Sequence, residues 1–253
     1  MTTVAAAVLP QMGFAASDKK TEKQMYYELR TYTLKDTNQQ RMVEDYFKLA
    51  AIPALNRLGV KNIGIFTELK PEGQSKLYAF IPYKSISEFE SVAEKLEQDK
   101  VYLTAGAAYL NAAATAPAYE RIESSLLKAF AHMPGVELPG QAPRIFELRR
   151  YEHATEAAGK KKLEMFNDAG EIDIFKRLGF KPVFFGETII GENRPNLIYM
   201  VTFDDEEAQG KHWKSFGSDP EWKKVSANPD YADAKLVSKI TSTKLKPADF
   251  SQI

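Results

Sequence analysis

"YELRTY" (Tyr27 to Tyr32) returns later in the chain as "FELRRY" (Phe146 to Tyr151). A strand that only fills a core has no need to repeat a glutamate and an arginine at matched positions. The identity extends outward from these two stretches. Glu28, Leu29, Arg30 and Tyr32 align with Glu147, Leu148, Arg149 and Tyr151 at an offset of 119 residues. After one inserted residue, "NRLGVK" (Asn56 to Lys61) matches "KRLGFK" (Lys176 to Lys181), and "LYAFIPY" (Leu77 to Tyr83) matches "LIYMVTF" (Leu197 to Phe203). Asp99 and Tyr102 then match Asp219 and Trp222. A period of this length marks a duplicated domain, not a solenoid.

Each copy reads as strand, helix, strand, strand, helix, strand. In the first copy, period-2 alternation predicts a strand over Tyr26 to Leu34. Helical spacing predicts a helix over Asn38 to Leu58, stopped by Gly59 and kinked or briefly broken at Pro53. Strands follow at Val60 to Leu69 and Leu77 to Tyr83, joined by the turn-forming "KPEGQSK", then a helix over Ser87 to Gln98 and a strand over Glu120 to Leu127. The second copy gives a strand over Arg144 to Glu152, one helix over Glu156 to Leu178, strands over Phe180 to Ile190 and Asn196 to Phe203, and a last strand over Leu236 to Leu245. This order is the ferredoxin-like split βαβ arrangement, an α+β fold. One half alone leaves a sheet face bare. Two tandem ferredoxin-like halves (βαββαβ) can pack as a pseudo-dimeric α/β barrel with helices outside. The expected division is a signal-like segment and linker over 1–24, a first half over 25–131, a linker over 132–143 and a second half over 144–253.

Alternation gives the repeated strand two faces. Tyr27, Leu29 and Thr31 point one way and Glu28, Arg30 and Tyr32 the other; Glu147, Arg149 and Tyr151 repeat the second set. The apolar set suits the helix-covered face, which sends the charged set to the barrel interior or the interface between halves. Buried charges demand partners, so each Glu is expected to pair with its Arg or with groups across the barrel. Two readings stay open. The pairs fix how the sheets register, or they line a polar pocket in which Arg30 or Arg149 binds a carboxylate or enolate and Tyr32 or Tyr151 donates a hydrogen bond.

The chain has 253 residues and 44% hydrophobic content, enough for a substantial core. Basic and acidic residues balance at 34 each, which argues against nucleic acid as a partner. The absence of cysteine removes disulfides, thiol catalysis and thiolate metal sites. Only three histidines occur, His132, His153 and His212, and none sits in metal-ligand spacing, so no metal site is expected. His153 continues the charged face of its strand. There it is a solvated strand-end residue, a general base or an axial haem ligand. No phosphate-cradling glycine motif exists, and Ser124 and Ser125 lack a nucleophile elbow; no cofactor is expected. The uncharged Met1 to Ser17, with its apolar run Val4 to Leu9, reads as the latter part of an export signal lacking its basic start; the alternative is an alanine-rich tail on a cytoplasmic protein. No stretch approaches the ~20 apolar residues of a membrane span.

"YELRTYTLK" (Tyr27 to Lys35), "RLGVKNIGIF" (Arg57 to Phe66), "RLGFKPVFF" (Arg177 to Phe185) and "HWKSFGSDPEWKKV" (His212 to Val225) resemble the NIPSNAP family. The resemblance implies a dimeric α/β barrel, a class that includes cofactor-free oxygenases, haem-degrading enzymes, lactone isomerases and plain ligand binders. It brings no catalytic residues with it. The first copy, "SVAEKLEQDKVYL", keeps Asp99 and Tyr102 but loses the Asp-Pro-Glu-Trp wording, so a pocket built on Trp213 and Trp222 is expected in the second copy only. Three functions are carried forward: binding of a small organic ligand in the barrel, cofactor-free monooxygenase or isomerase chemistry, or a scaffold role if the interior is filled by its own side chains. A homodimer of whole chains is compatible with each.

Overall fold

A computed structural model describes residues 23–140 and 144–253. The signal-like segment and part of the predicted linker lie outside them. Eight strands, β1 (Tyr26–Leu34), β2 (Gly64–Glu68), β3 (Ser75–Tyr83), β4 (Arg121–Ala129), β5 (Ile145–Glu152), β6 (Lys181–Ile190), β7 (Asn196–Phe203) and β8 (Lys239–Pro247), form a closed antiparallel barrel. Its circular order is β1-β3-β2-β8-β5-β7-β6-β4. Each half therefore contributes four adjacent strands, its fourth beside its first and its third between first and second. The halves meet along β2 with β8 and along β4 with β6.

Helices lie outside. In the first half α1 (Thr37–Asp45), a π-turn (Tyr46–Ala51) and α2 (Ile52–Arg57) run without interruption, followed after β3 by α3 (Ile86–Gln98), α4 (Lys100–Ala105) and α5 (Ala107–Leu110). The break predicted at Pro53 is thus a π-turn just ahead of it. Proline has no N–H to bond and its ring crowds the preceding turn, and the wider turn, in which Ile52 N–H reaches Phe47 O, relieves both. The second half carries α6 (Glu156–Asn167), α7 (Glu171–Arg177), α8 (Glu206–Ser218), α9 (Pro220–Ser226), a 3-10 turn (Pro229–Tyr231) and α10 (Asp233–Leu236). Here the expected single helix is broken after Asn167. Gly170, at φ +85°, takes a left-handed conformation that the continuous helix cannot hold. Among the described residues no helix is long and apolar enough to cross a membrane.

The repeated Arg and Asp outside the barrel have a structural role. Asp99 caps α4 through the backbone N–H groups of Val101 and Tyr102 and pairs with Arg57. Asp219 caps α9 through Glu221 and Trp222 and is gripped by both terminal nitrogens of Arg177, at 2.8 and 3.0 Å. Each pair ties the end of one helix to the start of another.

The core divides into three clusters, one inside the barrel and one under the helices of each half. The interior one holds Tyr27, Leu29, Phe80, Phe146, Leu148 and Phe184, together with the C-terminal Ile253. This reverses the face assignment read from the strand. Tyr27 and Leu29, with Phe146 and Leu148, point into the barrel, whereas Glu28, Arg30 and Tyr32, with Glu147, Arg149 and Tyr151, point toward the helices. An eight-stranded barrel is just wide enough to be packed by its own side chains, which leaves its centre no polar partner for a charge. The helix layer supplies such partners.

Candidate functional site

Glu28 and Arg30 form a bidentate ion pair, Nε to Oε1 at 2.6 Å and Nη2 to Oε2 at 2.9 Å. Tyr83 on β3 donates its hydroxyl to Glu28 at 3.3 Å. These groups floor a cavity of about 430 Å³ between the sheet and the helices of the first half. Phe47, Leu55, Phe89 and Val92 line it with apolar surface, and Glu90 and Glu97 stand among the lining groups on α3. Tyr46 and Tyr102 also line it, their hydroxyls 2.9 Å apart. Such a site, mostly apolar with a few convergent polar groups, has the composition of a small-molecule pocket.

Burial pushes the hydroxyls of Tyr46 and Tyr83 well above the ordinary tyrosine range. Both are therefore neutral donors, unsuited to removing a proton. Arg30 stays charged, since the adjacent Glu28 more than offsets the cost of its burial. Tyr32 is fully buried and does not line the cavity. It packs edge-on against Phe47 and accepts a hydrogen bond from Tyr109 at 3.3 Å.

The second half shows what the same strand does when its helix carries a tryptophan. Trp213 Nε1 and Gln209 Nε2 each donate to Glu147 Oε2 at 2.7 Å, while Ser242 Oγ and Arg149 reach Oε1 at 2.6 and 2.7 Å. The Arg149 guanidinium lies 4.4 Å from the Trp213 ring centre and donates to the Tyr151 hydroxyl, which in turn lies 3.0 Å from that of Tyr199. Burial pushes the Glu147 carboxyl up, but the bonds from Ser242 and Gln209, the Arg149 charge and the Trp213 bond together hold it below its ordinary value. Both carboxylate oxygens of Glu147 and the hydroxyl of Tyr151 are thus bonded within the protein itself.

α3 and α8 are both thirteen residues long and start at equivalent positions, so Trp213 corresponds to Ala93 and Gln209 to Phe89. Ala93 lines the cavity of the first half. The missing indole is the physical reason the space is open. In the second half Trp213 covers Glu147, and Trp222 packs at a tilt on Phe216, ring centres 4.3 Å apart, at the edge of that half's core. His153 is buried as well. Its Nδ1 lies 2.6 Å from Leu236 O, and it lines a separate cleft of about 170 Å³. The structure brings Glu28 and Arg30 together with Tyr46, Tyr83, Tyr102 and Ala93, four residues that the strand motif alone did not single out. The signal was available in the repeat: an alanine aligned with a tryptophan marks where one copy has room.

Underneath α6 lies a further difference between the copies. Lys162 and Glu171, both 1% exposed, face each other at 3.6 Å, and Lys162 also reaches Asp233 at 3.2 Å. Burial pushes the Glu171 carboxyl up to about 7 despite Lys162. The aligned residues of the first half are Val43 and Ala51, both buried in its core.

The NIPSNAP family profile matches residues 27–134 and again 146–252, one match for each copy. The chain belongs to the NIPSNAP family. No curated protein matches it. Among solved structures, this NIPSNAP chain is similar to a candidate monooxygenase from Fusobacterium nucleatum, at 12% identity and a TM-score of 0.59, covering 89% of this chain and 93% of that one. A second candidate monooxygenase, from Lactobacillus acidophilus, gives 11% identity, a TM-score of 0.56 and coverage of 89% and 94%. An anthrone oxidase-like protein gives 12%, 0.54, and coverage of 90% and 93%. At these identities the likeness extends to the fold.

Proposed function

We propose that this NIPSNAP protein binds a small, largely apolar organic molecule in the sheet–helix cavity of its first half. On this reading the chain is a pseudo-dimer of ferredoxin-like halves in which one half keeps the ligand site and the other is sealed. The observation that carries it is the exchange of Trp213 for Ala93 above the same Glu–Arg pair. The barrel centre is filled by side chains, as a scaffold would have it, but the candidate site lies outside the barrel. Because Glu28 already neutralises Arg30, and Glu90 and Glu97 line the same cavity, the site favours a neutral ligand whose hydroxyl or carbonyl meets the tyrosine hydroxyls and the remaining guanidinium N–H groups. The signal-like N-terminus supports an exported protein.

Calorimetric titration with neutral bicyclic and tricyclic phenols and ketones tests the proposal. Binding should be saturable in the native protein and lost in Ala93→Trp. Equal binding by both proteins would refute it.

Cofactor-free oxygenation is the second reading, favoured by the barrel shared with the candidate monooxygenases and the anthrone oxidase-like protein. A lining carboxylate, Glu28, Glu90 or Glu97, would take the proton from an enolisable substrate, since the tyrosines are held neutral. This reading requires that anthrone and one O₂ give anthraquinone and one water without added metal. Oxygen uptake no faster than the uncatalysed rate would dismiss it.

A further inference from the structure

The opposite face of the sheet carries a second, unrelated cavity. Along β5, Leu148 and Arg150 point into the barrel, and at the mouth formed by the ends of β1 and β5 the interior turns from apolar to polar. A cavity of about 150 Å³ opens there between the halves. Its apolar lining is Leu29, Leu148 and Ile198, and its charged lining is Arg150 and Lys76 with Glu68 and Glu123. Arg150 is incompletely partnered. Its Nε is buried without a hydrogen bond, and its ion-pair contact, to Glu152 Oε1, is 3.4 Å long. Glu152 Oε1 is likewise buried without a hydrogen bond. Glu68 accepts from the Tyr78 hydroxyl at 2.9 Å and among the described residues has no cationic partner within ion-pair distance.

Buried donors and acceptors left unmatched cost free energy until something matches them. The Arg150 guanidinium, whose Nε has only the long contact to Glu152, the Glu68 carboxylate and the apolar floor between them call for one molecule bearing both charges. A cavity of this size holds a benzene-sized molecule of about six heavy atoms. We propose that the barrel mouth is a binding site for a small zwitterion, an amino acid with a short apolar side chain, whose carboxylate meets Arg150 and whose ammonium meets Glu68. β5 of the second half supplies Arg150, and the first half supplies Glu68 with Lys76 and Glu123, so the site exists only where both halves meet. It is independent of the sheet–helix cavity, from which it is separated by the thickness of the sheet.

Calorimetric titration of the whole chain with L-alanine and L-valine tests the assignment, with propionate and ethylamine as single-charge controls. Binding of an amino acid at least tenfold tighter than either control is expected, with a tenfold or greater loss in Arg150→Met and in Glu68→Gln. Thr243→Leu, which narrows the cavity and leaves every charge in place, gives the same loss if Arg150→Met does not fold; thermal unfolding checks each variant. Propionate binding as tightly as L-alanine, full binding by Arg150→Met or Thr243→Leu, or no binding of either amino acid would overturn the proposal.

Discussion

Trp213 covers Glu147 in the second half of the chain, and Ala93, at the equivalent position of an equally long helix, leaves Glu28 facing a cavity. One side chain thus separates a closed half from an open one. The charged pair beneath is the same in both, so it accounts for the fold of each half and not for their difference.

Exchanging these residues should exchange the properties. Ala93→Trp is expected to fill the first-half cavity and abolish ligand binding, with the variant folded as judged by thermal unfolding. Trp213→Ala should open the second half at a cost of about 1–3 kcal/mol, less than the ~3–5 kcal/mol of a fully buried aromatic because Trp213 is half-buried. It also removes one donor to the buried Glu147. Urea unfolding measures that cost, and a loss below about 1 kcal/mol would argue that Trp213 is not sealing a core.

The Lys162–Glu171 pair is a buried ion pair for which the first half offers an apolar substitute. Replacing it by the first-half residues, Lys162→Val with Glu171→Ala, is expected to be neutral or stabilising by about 1–4 kcal/mol, because two desolvated charges are removed together. Glu171→Ala alone should destabilise by about 1–3 kcal/mol, since Lys162 keeps its charge and is left with the more exposed Asp233. Chemical denaturation of both variants distinguishes these outcomes.

Glu171 also sets a pH dependence. Its carboxyl moves from an ordinary value of 4.5 up to about 7 on folding, so between those values the folded state binds more protons than the unfolded one. Stability from this group is therefore full below pH 4.5 and is lost as pH rises through 7. The stability advantage of the Lys162→Val, Glu171→Ala variant over the native chain should grow across that window. Parallel denaturation curves at pH 5 and pH 8 with an unchanged difference would contradict this.

Glu147 works in the opposite sense. Its folded carboxyl lies below the ordinary 4.5, so its contribution is present above that value and is lost as pH falls through the lowered one. Glu147→Gln should lose about 3–5 kcal/mol at neutral pH by stranding Arg149, and its stability should vary less than the native protein's on the acid side. An unaltered acid limb in that variant would show that Glu147 carries none of the dependence.

Much of the architecture was legible in the sequence because duplication leaves two readings of every element. Tyr26–Leu34 falls where alternation puts it, Asn196–Phe203 where its match to the first copy puts it, and Gly59 and Gly179 end the helices before them as left-handed residues. The direction of the charged face was not legible. Alternation separates Leu29 from Arg30 but does not say which side of the sheet the barrel closes on, and both sides are buried here. Helix breaks were half legible: Pro53 announced a disturbance but not a π-turn, and the Asp168 to Gly170 break sits at the inserted residue itself. The site was hidden for a different reason. It is made by what Ala93 lacks, and a missing side chain shows only when the copies are compared position by position.

Native mass spectrometry of the wild-type chain and of Ala93→Trp, each isolated from cells that naturally make the protein and compared with its denatured mass, tests the central claim most directly. The account predicts a largely apolar small-molecule adduct on the wild-type chain that is missing from Ala93→Trp. The same adduct retained by Ala93→Trp, or a bare wild-type chain, would contradict it.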